Sequence, residues 1–174
     1  MQSNFNNAFA LLIKSEGGYV NDPQDHGGET NWGVTKKAWA EYLGRVIKDG
    51  EMKALTQEDV KPFYKKMYWD KCRCDDLPSG LDYAVFDFAV NAGVGQAARF
   101  LQRAVGVHDD GVVGSGTMSA VKAHPAKELL ETFSKQKSDF YRAIVQRTPS
   151  QAKFLNGWLN RVTAVETTAT TMMV

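Results

Sequence analysis

The chain has 174 residues, 43% of them hydrophobic and 24% charged, so it is long enough for one substantial core and too short for several independent domains. This composition excludes a disordered or fibrous protein. Because 21 Lys and Arg residues face 20 Asp and Glu residues, the net charge near +1 gives no reason to expect a nucleic acid partner.

The N-terminal segment lacks the basic start and small-residue cleavage site of a secretory signal. Its apolar stretch, from Ala8 to Ile13, is too short to span a bilayer. We therefore expect synthesis and folding in a cytoplasm, no membrane insertion, and a monomer. A substrate outside that compartment would have to be reached with the help of another factor.

The first predicted element is an amphipathic helix over residues 4–15, which Gly17 and Gly18 end. Its apolar face contains Phe5, Phe9, Leu12 and Ile13. Glu16 then lies at the helix exit. Residues 18–35, with several glycines and short apolar pieces, predict a small irregular β-hairpin.

Two helix starts and one central helix follow the hairpin. Thr35 is placed to cap a helix over the next turns, and Thr56 with Asp59 resembles a capping box that opens a helix through Tyr68. Residues 81–93 are apolar nearly all round, which is typical of a buried central helix.

The last part of the chain predicts four more helices, over residues 96–105, 117–123, 126–147 and 154–165. The tail, residues 167–174, shows no burial pattern and is expected to fray. We therefore predict a mainly α protein: a helical bundle with one small β-hairpin near the N-terminus.

The chemistry-bearing residues cluster at the first helix exit and in the hairpin. Hydrolysis of a glycosidic bond needs a protonated carboxylic acid at the leaving oxygen and a carboxylate across the sugar. Glu16 and Asp25 could supply this pair if the glycine-rich segment folds back, and Thr30 and Asn31 follow closely enough to hold a water. A glutamate at a helix C-terminus is also commonly just a solvated side chain.

One long ordered string resembles the opening motif of glycoside hydrolase family 108. It runs Glu16-Gly17-Gly18-Tyr19, Val20-Asn21-Asp22-Pro23, Asp25, Gly27-Gly28, Thr30 and Trp32-Gly33-Val34-Thr35. Residues 87–93 are similar to the end of that family's catalytic region. Residues 95–107, 109–117 and 154–162 resemble the predicted peptidoglycan-binding region that follows it. We expect a catalytic region over 1–93 and a helical binding region over 94–174, packed into one compact unit.

The resemblance implies an α-rich, α+β lysozyme-like fold and a phage endolysin. The implied activity is that of an N-acetylmuramidase, which hydrolyses the β-1,4 bond between N-acetylmuramic acid and N-acetylglucosamine in peptidoglycan glycan strands. No cofactor or metal is implied. The family's catalytic glutamate falls on Glu16.

The second catalytic role is open. Related phage lysozymes place eight residues between a Glu and an Asp or Cys, then five before a Thr. Glu16 and Asp25 fit the first gap, whereas Thr30 comes one residue early and Asn31 occupies the expected place. The rival carboxylates are those of Asp22 and Glu29.

Three further side chains are candidates for substrate binding besides Asn31. Tyr19 and Trp32 flank the candidate site and could stack on sugar rings, although aromatic residues of a small hairpin commonly close a local core. Asn91, polar in an apolar helix, could bind an acetamido group or could bond to neighbouring backbone.

The sequence lacks the residue patterns that other classes of wall-degrading enzyme need. A zinc amidase needs clustered ligands, whereas the histidines are scattered at His26, His108 and His124. Cys72 and Cys74 are expected to be reduced thiols without a nucleophile motif. Two alternatives stay open: a lytic transglycosylase, for which one glutamate suffices, and a noncatalytic wall-binding or secretion-activating protein of the same fold.

Overall fold

The computed structural model describes residues 2–21 and 28–173 and divides the chain into two compact units. One unit, Phe5–Met67, contains all the β-structure of the described residues, and we call it the hairpin unit. The other, Tyr68–Val174 with Met1–Asn4, contains no strand among its described residues, and we call it the helical unit.

The described residues form nine α-helices and three short strands, which confirms the prediction of a mainly α protein with one small sheet. The helices are α1 (Gln2–Ile13), α2 (Lys36–Leu43), α3 (Glu51–Ala54), α4 (Gln57–Tyr64), α5 (Leu81–Ala92), α6 (Val94–Ala104), α7 (Ser115–Lys122), α8 (Ala126–Arg147) and α9 (Ala152–Thr171). The strands are β1 (Val20–Asn21), β2 (Glu29–Asn31) and β3 (Val34–Thr35).

The sheet of the hairpin unit is antiparallel with the order β1-β2-β3. Asn31 pairs with Val34, so β2 and β3 are joined by the two residues Trp32 and Gly33. Both have positive φ, +50° and +75°, as a tight type I′ turn requires. Gly33 adopts this conformation without cost, whereas for Trp32 it is unusual.

The predicted helix starts of the hairpin unit are confirmed. The Thr35 hydroxyl accepts a hydrogen bond from the Ala38 amide at 3.1 Å. Thr56 and Asp59 form a reciprocal capping box at the start of α4. The helix predicted to run through Tyr68 is α-helical only to Tyr64 and continues as a π-helix over Lys65–Trp69.

The helical unit is built around α5, which contacts α6, α8 and α9. All residues from Leu81 to Ala89 are buried, so the predicted central helix is confirmed. Its buried Asp82 carboxylate accepts hydrogen bonds from the Asn4 side chain and from the Gly80 and Tyr83 amides. These three donors satisfy the charge inside the unit.

The prediction of a frayed tail is wrong, because α9 continues to Thr171. Ala169 is fully buried, and its carbonyl oxygen lies so close to Gly80 that a Cβ atom would collide there. The Ser79 hydroxyl also donates to the Met172 carbonyl at 2.8 Å. Ala169 is the buried residue of this last turn and stands between threonines that are half-buried or exposed, so the turn shows no apolar periodicity in the sequence.

Cys72 and Cys74 are both fully buried thiols. Burial raises the pKa of the Cys74 thiol well above its ordinary value, so this sulfur is kept as the poorly nucleophilic thiol. None of the helices in the described ranges has the length and apolar character to cross a bilayer.

Candidate active site

Glu16 lies directly after α1, as the sequence predicts, and is half-buried. The helix ends in tightened turns, in which the Ser15 amide donates to Leu12 and the Glu16 amide to Ile13 at 3.0 and 3.2 Å. The Ser15 hydroxyl bonds the same Leu12 carbonyl at 2.7 Å. The backbone that carries Glu16 is therefore fixed to the helix end.

The Glu16 carboxyl group packs against the turn between β2 and β3. A Cβ atom built on Gly33 would lie 2.5 Å from Oε2 of Glu16 and 2.6 Å from the Tyr64 hydroxyl oxygen. Both oxygens therefore occupy the space that any other residue at position 33 would need. Glycine is required here for its positive φ and for this close approach.

Tyr64 provides the second wall beside the Glu16 carboxyl group. Its hydroxyl donates to the Trp32 carbonyl at 2.8 Å, which ties α4 to the β2–β3 turn. The ring is 1% exposed and packs between Phe9, at 5.7 Å, and Phe63, at 5.5 Å between ring centroids. Packing on both sides holds this hydroxyl in place.

Thr30 and Asn31 take different positions in β2. Thr30 is half-buried and pairs with Val20 and Thr35, and its catalytic role stays a prediction. Asn31 is 3% exposed, and its Nδ2 donates to the Met52 and Leu55 carbonyls at 2.9 and 3.3 Å. These contacts indicate a structural role for Asn31, because its side-chain amide group already donates to backbone carbonyls.

Like Asn31, Trp32 connects the sheet to the backbone at the end of α3. Its indole nitrogen donates to the Leu55 carbonyl at 2.8 Å, while its own carbonyl accepts from Tyr64. The ring is half-buried. These two bonds compensate for the unusual φ of Trp32, and contact between this ring and a sugar stays a prediction.

Replacing Asn31 with Ala is expected to lower the free energy of unfolding by about 1–3 kcal/mol, because the buried Met52 carbonyl loses its Asn31 donor and the partly buried Leu55 carbonyl keeps only that of Trp32. Urea denaturation measures this change. Asn7→Ala, at an exposed position of α1, is the control and should stay within about 0.5 kcal/mol. A stable Asn31→Ala protein with lost activity would instead assign Asn31 to substrate or water.

Tyr19 and Glu29 form a polar cluster with Lys36 at the start of α2. The Tyr19 hydroxyl donates to Glu29 Oε1 at 2.9 Å, and Lys36 Nζ lies 2.6 Å from Glu29 Oε2. The hydrogen bond from Lys36 has the largest effect on the Glu29 carboxyl group, followed by the one from Tyr19, and both lower its pKa. Glu29 thus stays ionised and fastens β2 to α2, which makes it a poor proton donor.

The Glu29 contacts are expected to stabilise the protein at neutral pH and to weaken in acid. The pKa of the Glu29 carboxyl group is lower in the folded state than its ordinary value of 4.5 in the unfolded chain. Its contacts therefore stabilise the folded protein fully above that ordinary value, and this contribution is lost as the pH falls through the lowered pKa of the folded state. Glu29→Gln should therefore lower Tm at pH 7, and its difference from wild type should shrink at pH 3. Equal Tm differences at both pH values would contradict this assignment.

For three predicted residues, a place beside Glu16 stays a prediction. Asp25 and its rival Asp22 lie outside the described residues, so the second carboxylate stays a prediction. Asn91 belongs to the helical unit, where it is exposed and its Nδ2 donates to the Asp87 carbonyl at 2.7 Å. Its predicted role in substrate binding is untested by these contacts.

Sequence reasoning missed Gly33 and Tyr64 as site residues. Gly33 was part of the recognised motif, but nothing in its neighbours showed that it faces Glu16. Tyr64, with an apolar ring at helical spacing, fits a core position. Among the residues that the structure describes, no group of three or more His, Cys, Asp or Glu side chains could hold a metal ion.

Two family descriptions cover most of the chain. Residues 9–93 match the family described as Glycosyl hydrolase 108, and residues 96–163 match the one described as Predicted Peptidoglycan domain. The solved structure of Brucella abortus SagA is similar over 99% of this chain and 97% of that one, with 34% identity and a TM-score of 0.84. A search of the curated proteins found no match.

Proposed function

This chain belongs to the glycosyl hydrolase 108 family, and from that premise we propose that it is an N-acetylmuramidase. The bond cleaved is the β-1,4 link between N-acetylmuramic acid and N-acetylglucosamine in peptidoglycan. The match of residues 96–163 to a predicted peptidoglycan domain supports peptidoglycan as the substrate.

One observation carries the proposal: the Glu16 carboxyl group is fixed against the Gly33 backbone beside the Tyr64 hydroxyl. A general acid must be held in one orientation so that its proton points at the leaving oxygen. The glycine turn, the buried tyrosine and the helix end supply this orientation from three parts of the hairpin unit.

In the proposed reaction, Glu16 donates its proton to the oxygen of the N-acetylglucosamine leaving group as the glycosidic bond breaks. A water molecule adds to the anomeric carbon of N-acetylmuramic acid and gives up a proton to a carboxylate on the opposite side. We assign that carboxylate to Asp25 and the orientation of the water to Thr30. Tyr19 and Trp32 are the proposed contacts for the sugars.

The biological setting is part of the proposal. We infer that the chain is a phage endolysin that is made in the host cytoplasm, acts as a monomer and reaches the cell wall with the help of another factor. The motif from Glu16 to Thr35 supports this reading through its resemblance to the family's endolysins.

Mass spectrometry of the fragments released from purified peptidoglycan tests the reaction. Fragments with a reducing N-acetylmuramic acid end are expected. Fragments that end in 1,6-anhydro-N-acetylmuramic acid would show that the enzyme is a lytic transglycosylase instead of a hydrolase. Cleaved peptide stems would overturn the glycosidase assignment. No release by folded protein would favour a noncatalytic wall-binding protein.

A further inference from the structure

A cavity lies wholly within the helical unit, at the α8–α9 pair. It has a volume of about 540 Å³ and is lined by Asn91, Ala92, Phe140, Tyr141, Ile144, Gly157, Trp158 and Arg161. This size and its mixture of apolar walls with a few polar groups are typical of sites for small ligands. The catalytic chemistry assigned to Glu16 does not use it.

The charge of the cavity comes from Arg161. Among the described residues that line it, Arg161 is the one that carries a charge, and its side chain is 30% exposed. Its Nε and Nη2 both donate to Oδ1 of Asp87, at 3.2 and 2.7 Å, so the guanidinium plane is fixed. Asp87 is 2% exposed, and its Oδ2 lies 3.6 Å from Nζ of Lys137. Its negative charge is therefore shared between Arg161 and Lys137.

The aromatic residues at the cavity pack on one another. Trp158 stacks on Tyr141, with ring centroids 5.1 Å apart and an angle of 26°, and lies 5.9 Å from Phe154 at 32°. Lys153 covers the Phe154 ring at 5.0 Å. Ring faces engaged in this way are less suited to stacking on sugars than the face of an isolated surface tryptophan.

We propose that this cavity binds the peptide stem of peptidoglycan, with Arg161 contacting a stem carboxylate and Asn91 a stem amide. The proposal rests on the proposed function, because it assumes peptidoglycan as the substrate. A stem peptide combines carboxylates, amides and short alkyl side chains, which match the guanidinium, the amide and the apolar walls formed with Ala92 and Ile144. The glycan backbone offers no such density of carboxylates.

The test uses the full chain and a ligand without a glycosidic bond, the tetrapeptide L-alanyl-γ-D-glutamyl-meso-diaminopimelyl-D-alanine. Isothermal titration calorimetry should show saturable binding to the wild type and at least tenfold weaker binding of the peptide with amidated carboxyl groups. Chitotetraose serves as the glycan control and should not compete. Absence of tetrapeptide binding, or equal affinity for the amidated peptide, would overturn the proposal.

Gly157→Leu adds a side chain at a residue that lines the cavity and takes no part in the Asp87 ion pairs. A Cβ atom on Gly157 would meet no atom within 4 Å, and leucine favours the helix more than glycine does. We expect at least a tenfold loss of tetrapeptide affinity. Gly116→Leu, at a helical glycine of α7 with equally open surroundings, is the matched control and should bind as wild type does. Unchanged binding by Gly157→Leu would refute this site.

Arg161→Gln gives a second measurement and should also weaken tetrapeptide binding at least tenfold. Its folding is checked by circular dichroism because the change removes the Arg161 ion pair of the buried Asp87, which lies 3.6 Å from Lys137 as well. The release of reducing ends from peptidoglycan is assayed in parallel. A protein that releases such ends but does not bind the tetrapeptide overturns the cavity alone, whereas one that binds it and releases none overturns the muramidase.

Discussion

Glu16→Gln is expected to lower the rate of peptidoglycan hydrolysis by about 10²–10⁴-fold, the usual contribution of a general acid. The amide has nearly the shape of the carboxyl group, so it fits beside Gly33 and Tyr64, but it cannot deliver an acidic proton to the leaving oxygen. The initial rate of turbidity loss in a suspension of purified walls measures the effect. Circular dichroism and Tm should stay close to wild type.

Glu41→Gln is the matched control for this charge change. Glu41 is exposed in α2, and its substitution should leave the hydrolytic rate and Tm unchanged. Wild-type activity in a folded Glu16→Gln protein would refute the assignment of the general acid. A loss of activity in Glu41→Gln would show that the assay responds to surface charge instead of to the proton donor.

Gly33→Ala is expected to reduce the hydrolytic rate by about 100-fold or more, because a catalytic group displaced by about 1 Å loses that much. The new Cβ atom would lie 2.5 Å from Oε2 of Glu16 and 2.6 Å from the Tyr64 hydroxyl, so the carboxyl group or the turn must move. The φ of +75° adds a conformational cost of about 1–2 kcal/mol for alanine. Wall-clearing rates and urea denaturation separate the two effects.

Gly44→Ala isolates the conformational cost. Gly44 ends α2 with a φ of +67°, and a Cβ atom there would meet nothing within 4 Å. This variant should lose about 1–2 kcal/mol of stability and keep its hydrolytic rate. If Gly33→Ala is no less active than Gly44→Ala, the close approach between Gly33 and the Glu16 carboxyl group has no catalytic importance.

Local rules predicted much of the fold because the determining residues lie within a few positions of each other. Thr35 and the Thr56–Asp59 pair cap helices through bonds to residues three positions away. The continuous apolar stretch of α5 indicated its burial directly. The end of α9 was not predictable in this way, because its burial depends on Gly80, far away in the chain.

The candidate site was predictable only at the level of its motif. Glu16 follows from the helix exit and the family resemblance, both of which are local. The partners that orient it come from folding: Tyr64 reaches the turn from α4, and Asn31 and Trp32 bond to the backbone around Leu55. Such contacts depend on how separate elements pack and leave no pattern in the sequence.

The buried end of α9 changes how truncated forms of this protein should be regarded. Ala169 closes against Gly80, and Met172 accepts a hydrogen bond from Ser79. A premature stop codon or a protease cut within the last turn would therefore remove part of the packing around the start of α5, instead of trimming a dispensable end. For the same reason, an affinity tag or fused domain at this end needs a spacer that leaves the final turn of α9 in place.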